Sequence, residues 1–266
     1  RKRLAKYHYE FLAVHKAIGQ IDASIAIASY RARLSVWCEP EINFAAKRPD
    51  LRIEGMVHPL LKESVPNDVI PEKSMLITGS NASGKSTYLR TAMICTLLAQ
   101  TICTCTCRSY IGSSFRIYTA LSLSDNLLAG ESYYIAEIKS LKRILDARKM
   151  EGFILCAIDE VLRGTNTIER ISASAEVLKA LKHPCILCLI ATHDVELCAI
   201  SGNDYQLVHF EEVISDNDIH FDYKLKPGPA MSRNAIRLLK LMGFDDAIVN
   251  AAECRAESYL KTGKWT

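Results

Sequence analysis

The 266-residue sequence lacks the marks of several protein classes. Its longest uncharged run, Thr91 to Cys107, falls short of the ~20 apolar residues that a spanning helix needs, and Gln100 and several threonines interrupt it. It carries no secretory leader pattern, no internal repeat and no low-complexity tract. Neither charge sign dominates: 33 basic residues against 30 acidic give +3, too mild to be a nucleic-acid footprint by itself. With 12 glycines and 8 prolines there is no collagen-like composition, and 49% hydrophobic with 24% charged residues exclude a disordered chain. What remains is a globular protein of one large domain or two small ones. The sequence starts Arg1-Lys2-Arg3 without methionine, and we expect it to be part of a longer protein.

Ten cysteines are present, but not with the spacing of a small disulfide scaffold. Cys103, Cys105 and Cys107 alternate with threonines, while Cys156, Cys185 and Cys188 sit in apolar runs, where cysteine acts as a small buried hydrophobe. Cys185 and Cys188 have the spacing of half a zinc site. A strand would point them to opposite faces, and no second Cys/His pair with ligand spacing accompanies them. The expected setting is therefore reduced and cytoplasmic, with no membrane contact from this chain.

Apolar residues at Leu4, Tyr7, Phe11, Val14, Ile18, Ile21, Ile25 and Ala28 recur at intervals of three and four, a heptad-like seam on a long helix. We expect this helix to pack on its own domain rather than in an intermolecular coiled coil. From about Arg52 short β-type runs appear: Met75–Thr78, Phe153–Ile158 and Cys185–Ala191 read as buried strands. Helices are expected from Lys85 to about Gln100, Ser132 to about Met150 and Thr167 to about Leu181. This alternation predicts an α/β fold, a mainly parallel sheet covered by helices on both faces. In the tail, Ser232 can cap a helix stopped by Gly243, and Asp245 can cap another closed by Gly263, a helix-turn-helix-like pair.

Gly79-Ser80-Asn81-Ala82-Ser83-Gly84-Lys85-Ser86 matches G-x-x-x-x-G-K-[ST] between a strand and a helix. Glycines let the backbone wrap a phosphate and aim N–H groups at it, and the new helix offers its positive end. Lys85 would sit between the outer phosphates, the Ser86 hydroxyl would ligate Mg²⁺, and Thr87 completes the binding segment. The second strand ends in Asp159-Glu160. Asp159 would hold Mg²⁺ through its water shell, and Glu160 would orient or deprotonate the attacking water. The third runs into Thr192-His193-Asp194, placing His193 to sense the terminal phosphate or steady the water.

No Asn-Lys-x-Asp guanine reader is present, which argues against a GTPase; the Asp-Glu pair suits hydrolysis of the ABC type better than phosphotransfer. Between the two motifs, Gly130-Glu131-Ser132 opens a long helix and makes a second anion-binding end. One site already has its loop, so Ser132 would serve a neighbour's nucleotide, with two subunits enclosing two ATP molecules head to tail.

These motifs in this order resemble the ATPase domain of the MutS family, the mismatch-repair ATPases. The likeness runs from about Ile53 to the C-terminus, with the first helix similar to the end of the family's lever and core region. His58-Pro59 resembles the family's entry motif, with Val57 in place of the usual arginine. Asn81 keeps the family's loop asparagine, whereas Ser80, Ala82 and Ser83 differ from the commonest version. The segment from Gly130 to Glu137 is similar to the signature, with Tyr133-Tyr134 replacing Thr-Phe. Asp159-Glu160 resembles the family's Walker B acids and Arg163-Gly164-Thr165 the loop trailing them, and Ala191-Thr192-His193 resembles the family's switch. Near Val65 and Pro66 no aromatic stands where better-known members stack on adenine. The resemblance implies a phosphate-loop NTPase of ABC type from a divergent bacterial-type branch. Residues 1–50 would end a lever, 51–228 form the ATPase domain and 229–266 a dimerising helical segment. It further implies a homodimer with ATP and Mg²⁺ in composite sites, coupled to DNA through upstream regions that would carry mismatch recognition. The alternative is a nucleotide-gated dimerising interaction module with little turnover and no mismatch specificity.

Overall fold

In the computed structural model, the residues described are 7–121, 133–214, 219–230, 236, 239–240 and 242–264. The elements run α1 (His8–Arg31), β1 (Glu41–Asn43), β2 (Leu51–Met56), β3 (Asn67–Val69), β4 (Met75–Thr78), α2 (Lys85–Ile102) and β5 (Ser109–Ser113). They continue with β6 (Phe115–Ala120), α3 (Tyr133–Ala147), β7 (Phe153–Asp159), α4 (Thr167–Leu181), β8 (Ile186–Ala191) and α5 (Val195–Ser201). Last come β9 (Gln206–His209), β10 (Glu212–Ile214), β11 (Ile219–Phe221), β12 (Lys226–Pro227) and α6 (Asp246–Thr262). The chain divides into two compact units: residues up to Ile70 with Thr91–Ser114, and Pro71–Arg90 with everything from Phe115 on.

The first unit holds a four-stranded sheet in the order β1-β5-β2-β3, with β1 parallel to β5 and the other pairs antiparallel. In β2, Leu51 and Ile53 are buried while Arg52 is exposed, the alternation of a strand with one covered face. Helix α1 forms where the heptad spacing predicts, but among the described residues its seam finds no cover. None of its described residues is buried, and Phe11, Ile18, Ile21 and Ile25 remain 61–70% exposed. The expectation of packing is thus corrected: periodicity defines an apolar face without supplying its cover. Among the described residues this is also the one helix long and apolar enough, by length and composition, to cross a membrane. Its last residue, Arg31, anchors the chain that follows α2, donating to the Thr104 hydroxyl and the Cys103 carbonyl, both at 2.9 Å.

The second unit contains a six-stranded sheet in the order β12-β9-β4-β8-β7-β6. All pairs are parallel except β12 with β9. Every residue of β4 and β8 is buried, as are Ile154 to Ile158 of β7, so both faces of the central sheet are covered. Unbroken apolar runs, rather than alternation, make such strands. Cys156 and Cys188 meet at paired positions of β7 and β8, while Cys185 turns instead to His183. On α3, Glu137, Leu141 and Ile144 occupy one buried face at i, i+4 and i+7. Helix α4 starts at Asn166, whose side chain accepts the Glu169 N–H at 3.0 Å.

The tail follows the capping signals. The Gly243 N–H bonds the Lys240 carbonyl and the Phe244 N–H reaches Leu239, the paired closure of a helix end on a left-handed glycine. Asp245 accepts the Ala247 N–H, and Gly263 closes α6 in the left-handed conformation. Ser232 lies outside the described residues.

Candidate functional site

Register brings the motifs of the second unit to one edge of the sheet. Ala191 pairs with Ile77 on one side and Asp159 on the other, so β4, β7 and β8 end together. The chain leaves that edge as the Gly79 loop, the Glu160 loop and the Thr192-His193 segment. This is the carboxyl edge of parallel strands, where open α/β sheets bind ligands.

Gly79 has φ +144°, and a Cβ there would lie 2.5 Å from the Phe210 carbonyl oxygen, so the sharp turn into the loop has room only for glycine. Ser83 closes the loop by donating to the Ser80 carbonyl at 2.9 Å, and the Ser80 hydroxyl donates to the Glu212 carboxylate at 2.5 Å. Asn81 and Ala82 are exposed at its tip; Ser86 and Thr87 lie half-buried in the first turn of α2. The Lys85 ammonium is buried and folds back on the loop, donating to Gly79 O at 2.8 Å and Ser80 O at 2.6 Å. Burial pulls its pKa down to about 8, against the opposing pull of Asp159, Glu160 and Glu212.

Asp159 is the last residue of β7, and Glu160 turns out of the strand with φ +66°. Its carboxylate meets the Arg163 guanidinium at 2.8 Å and His193 Nε2 at 3.3 Å. Burial and the Lys85 charge lower the pKa of His193 while Glu160 opposes them, so the imidazole is neutral at pH 7. Asp194, next to it, holds Arg170 with bonds of 3.0 and 2.6 Å. A small cleft of about 170 Å³ opens between Glu160, Arg163, Arg170, His193 and Asp194.

Glu137 was not singled out as a site residue in the sequence, yet it shapes the site. Its buried carboxylate accepts the N–H groups of Leu162 and Arg163, the latter at 3.1 Å, and so fixes the loop behind Glu160. Burial raises its pKa and those two N–H groups oppose the rise. The signal available was an acid in register with the apolar face of α3. Tyr134 packs within 3.0 Å of where a Gly164 Cβ would stand, tying α3 to the same loop. Ser132 lies outside the described residues, so the second anion-binding end is not among the groups brought together here.

The assembled groups define an α/β domain with a cation-bearing, glycine-turned loop facing paired acids and a neutral imidazole. The chain matches MutS domain V over residues 75–259, and it belongs to the MutS family. It is 30% identical over 260 residues to the DNA mismatch repair protein MutS of Clostridium perfringens, covering 90% of this chain. It is 29% identical over 249 residues to the protein of the same name from Natronomonas pharaonis, again covering 90%. The chain spans only 27% and 28% of the length of these two relatives.

Proposed function

We propose that this chain is the nucleotide-binding and hydrolysing part of a MutS-type mismatch-repair ATPase, with a phosphate-loop fold of the ABC type. The observation that carries the reading is the convergence of Lys85, Asp159, Glu160 and His193 at one sheet edge, Lys85 being in electrostatic contact with both acids. The residues suit ATP and Mg²⁺: a buried ammonium is already held at the loop by two carbonyls that a polyphosphate can replace, and carboxylates stand opposite. The Gly79–Thr87 segment would hold the phosphates; Ser86 and Asp159 would hold Mg²⁺, which supplies charge neutralisation when bound. Glu160 orients the attacking water and accepts its proton, while Arg163 and neutral His193 fix that carboxylate.

In this reading the sites are composite. Ser132 of a second copy closes over the terminal phosphate, and residues 229–266 help hold a homodimer. DNA is gripped by regions upstream, so mismatch specificity belongs to the longer protein, which works in the cytoplasm. The chain itself makes no membrane contact. Domain limits of 1–50, 51–228 and 229–266 belong to the same proposal.

Glu160→Gln is expected to abolish ATP hydrolysis and accumulate an ATP-bound dimer; unchanged turnover removes Glu160 from its role. Specific activity should rise with protein concentration, and mixing Ser132→Ala with Lys85→Ala should restore part of it. Activity independent of concentration contradicts the shared site. The longer protein should prefer mismatched over homoduplex DNA at stated salt, and equal affinity leaves only the nucleotide-gated module.

A further inference from the structure

Four of the ten cysteines converge inside the first unit, away from any motif discussed so far. Cys38 follows α1 and pairs with Cys105 through two backbone hydrogen bonds of 3.0 and 2.9 Å. Cys105 and Cys107 are two residues apart in the bent segment between α2 and β5, and their sulfurs come together there. Cys95 comes from α2. The Cys38 and Cys107 sulfurs are 3.5 Å apart, and those of Cys95 and Cys107 3.8 Å. The sulfurs of Cys38, Cys105 and Cys107 all lie within 4.8 Å of one another, and Cys95 borders this set through Cys107.

We infer that Cys38, Cys95, Cys105 and Cys107 form a thiolate site for a single zinc(II) ion. Four sulfurs at ~2.3 Å from a tetrahedral metal stand ~3.8 Å from one another; Cys38, Cys105 and Cys107 are the three already mutually close, and Cys95, 3.8 Å from Cys107, would supply the fourth by closing on the other two. A disulfide needs ~2.05 Å and would use only two of the four. Soft thiolates with no oxygen ligand select zinc over magnesium or calcium. Cys95, Cys105 and Cys107 are fully buried and Cys38 half-buried, which leaves one edge for entry and proton escape. Backbone N–H groups of Tyr110 and Thr106 point at the sulfurs of Cys38 and Cys95, the support that a thiolate-rich centre requires. On binding, each thiol gives its proton to solvent and the metal keeps its oxidation state. The ion would tie the chain after α1, the helix α2 and the segment after it into one knot.

The test uses the complete chain, reduced, stripped with a chelator and titrated with cobalt(II) and then zinc(II). The expected result is an end point at one metal per chain, with the sulfur-to-cobalt charge-transfer and intense visible bands of a tetrahedral thiolate site, displaced by zinc. Cys105→Ser combined with Cys107→Ser should lose both bands and metal. If that chain does not fold, Cys38→Ser at the accessible edge should weaken zinc by about tenfold or more. Cys103→Ser and Cys254→Ser, both exposed, should bind as the parent does. Absence of the charge-transfer band in the reduced parent overturns the proposal. So does a metal-free Cys38–Cys107 disulfide, or undiminished zinc in the Cys38→Ser and Cys105→Ser/Cys107→Ser chains.

Discussion

The loop-and-acid edge of the second unit and the thiol cluster of the first are built from opposite materials. At the edge, three charged groups already have partners: Lys85 bonds two carbonyls, Glu160 meets Arg163 and His193, and Glu137 takes two backbone N–H groups. Ligand binding there is an exchange of partners. In the cluster, the sulfurs meet each other and two backbone N–H groups, and a thiol is a weak donor and a weak acceptor. Ligand binding there replaces thiol protons by metal bonds and displaces no ion pair. Charged sites therefore advertise themselves by what they hold in the free chain, and thiol sites only by proximity.

The largest effect should come from removing the loop's charge. Lys85→Met is expected to lower ATP turnover by about 10²–10³-fold, since it deletes a preorganised cation at the developing charge. A loss under tenfold in a steady-state assay would make the edge less dependent on charge than its geometry says. Next in size is a pH effect. Lys85 loses its proton near pH 8 in the free chain, whereas the bound phosphates would restore it. ATP affinity should then fall as pH rises through about 8, by up to about tenfold per unit until the ordinary lysine range, with proton uptake visible by calorimetry in buffers of different ionisation enthalpy. Lys85→Arg should bind with no such slope. Flat binding by the parent chain would mean that the ammonium stays charged when free.

Glu137→Ala should cost about 1–3 kcal/mol, because the N–H groups of Leu162 and Arg163 lose their acceptor. Thermal melting reads this directly, and an unchanged melting point would demote Glu137 to a bystander. The smallest effect is expected at the exposed seam: Ile18→Lys with Ile25→Lys should change monomer stability by less than about 0.5 kcal/mol per site. A larger drop in denaturant melts at low concentration would reveal a cover for α1 within the same chain.

Contiguity decides how much was legible in the sequence. The Gly79–Ser86 motif and the Asp159-Glu160 pair are runs of adjacent residues, and their flanking elements followed from hydrophobic pattern. Strand β4 (Met75–Thr78) and helix α4 (Thr167–Leu181) begin and end where the pattern predicted. The helix stops at Gly243 and Gly263 were legible for the same local reason. Cys38, Cys95, Cys105 and Cys107 come from three separate segments, and only the fold brings them together. Cys103, which shares with Cys105 and Cys107 the alternation with threonines, does not join them and is exposed in a left-handed turn where α2 ends. Glu137 was hidden differently: an acid on an apolar helix face looks like noise until the N–H groups it accepts are seen. The seam of α1 was legible as a face, but its partner is a property of what surrounds the helix.

Glu160 carries a consequence for how this sequence can drift. It stands at φ +66°, and Leu162 two residues later at φ +58°, a conformation that costs an ordinary side chain about 1–2 kcal/mol and that asparagine or glycine adopts more readily. Selection for stability alone would replace the acid. Glu160→Asn is accordingly expected to leave the melting point unchanged or raised while hydrolysis is lost, so that a chain freed from its reaction would be pulled away from glutamate by its own backbone.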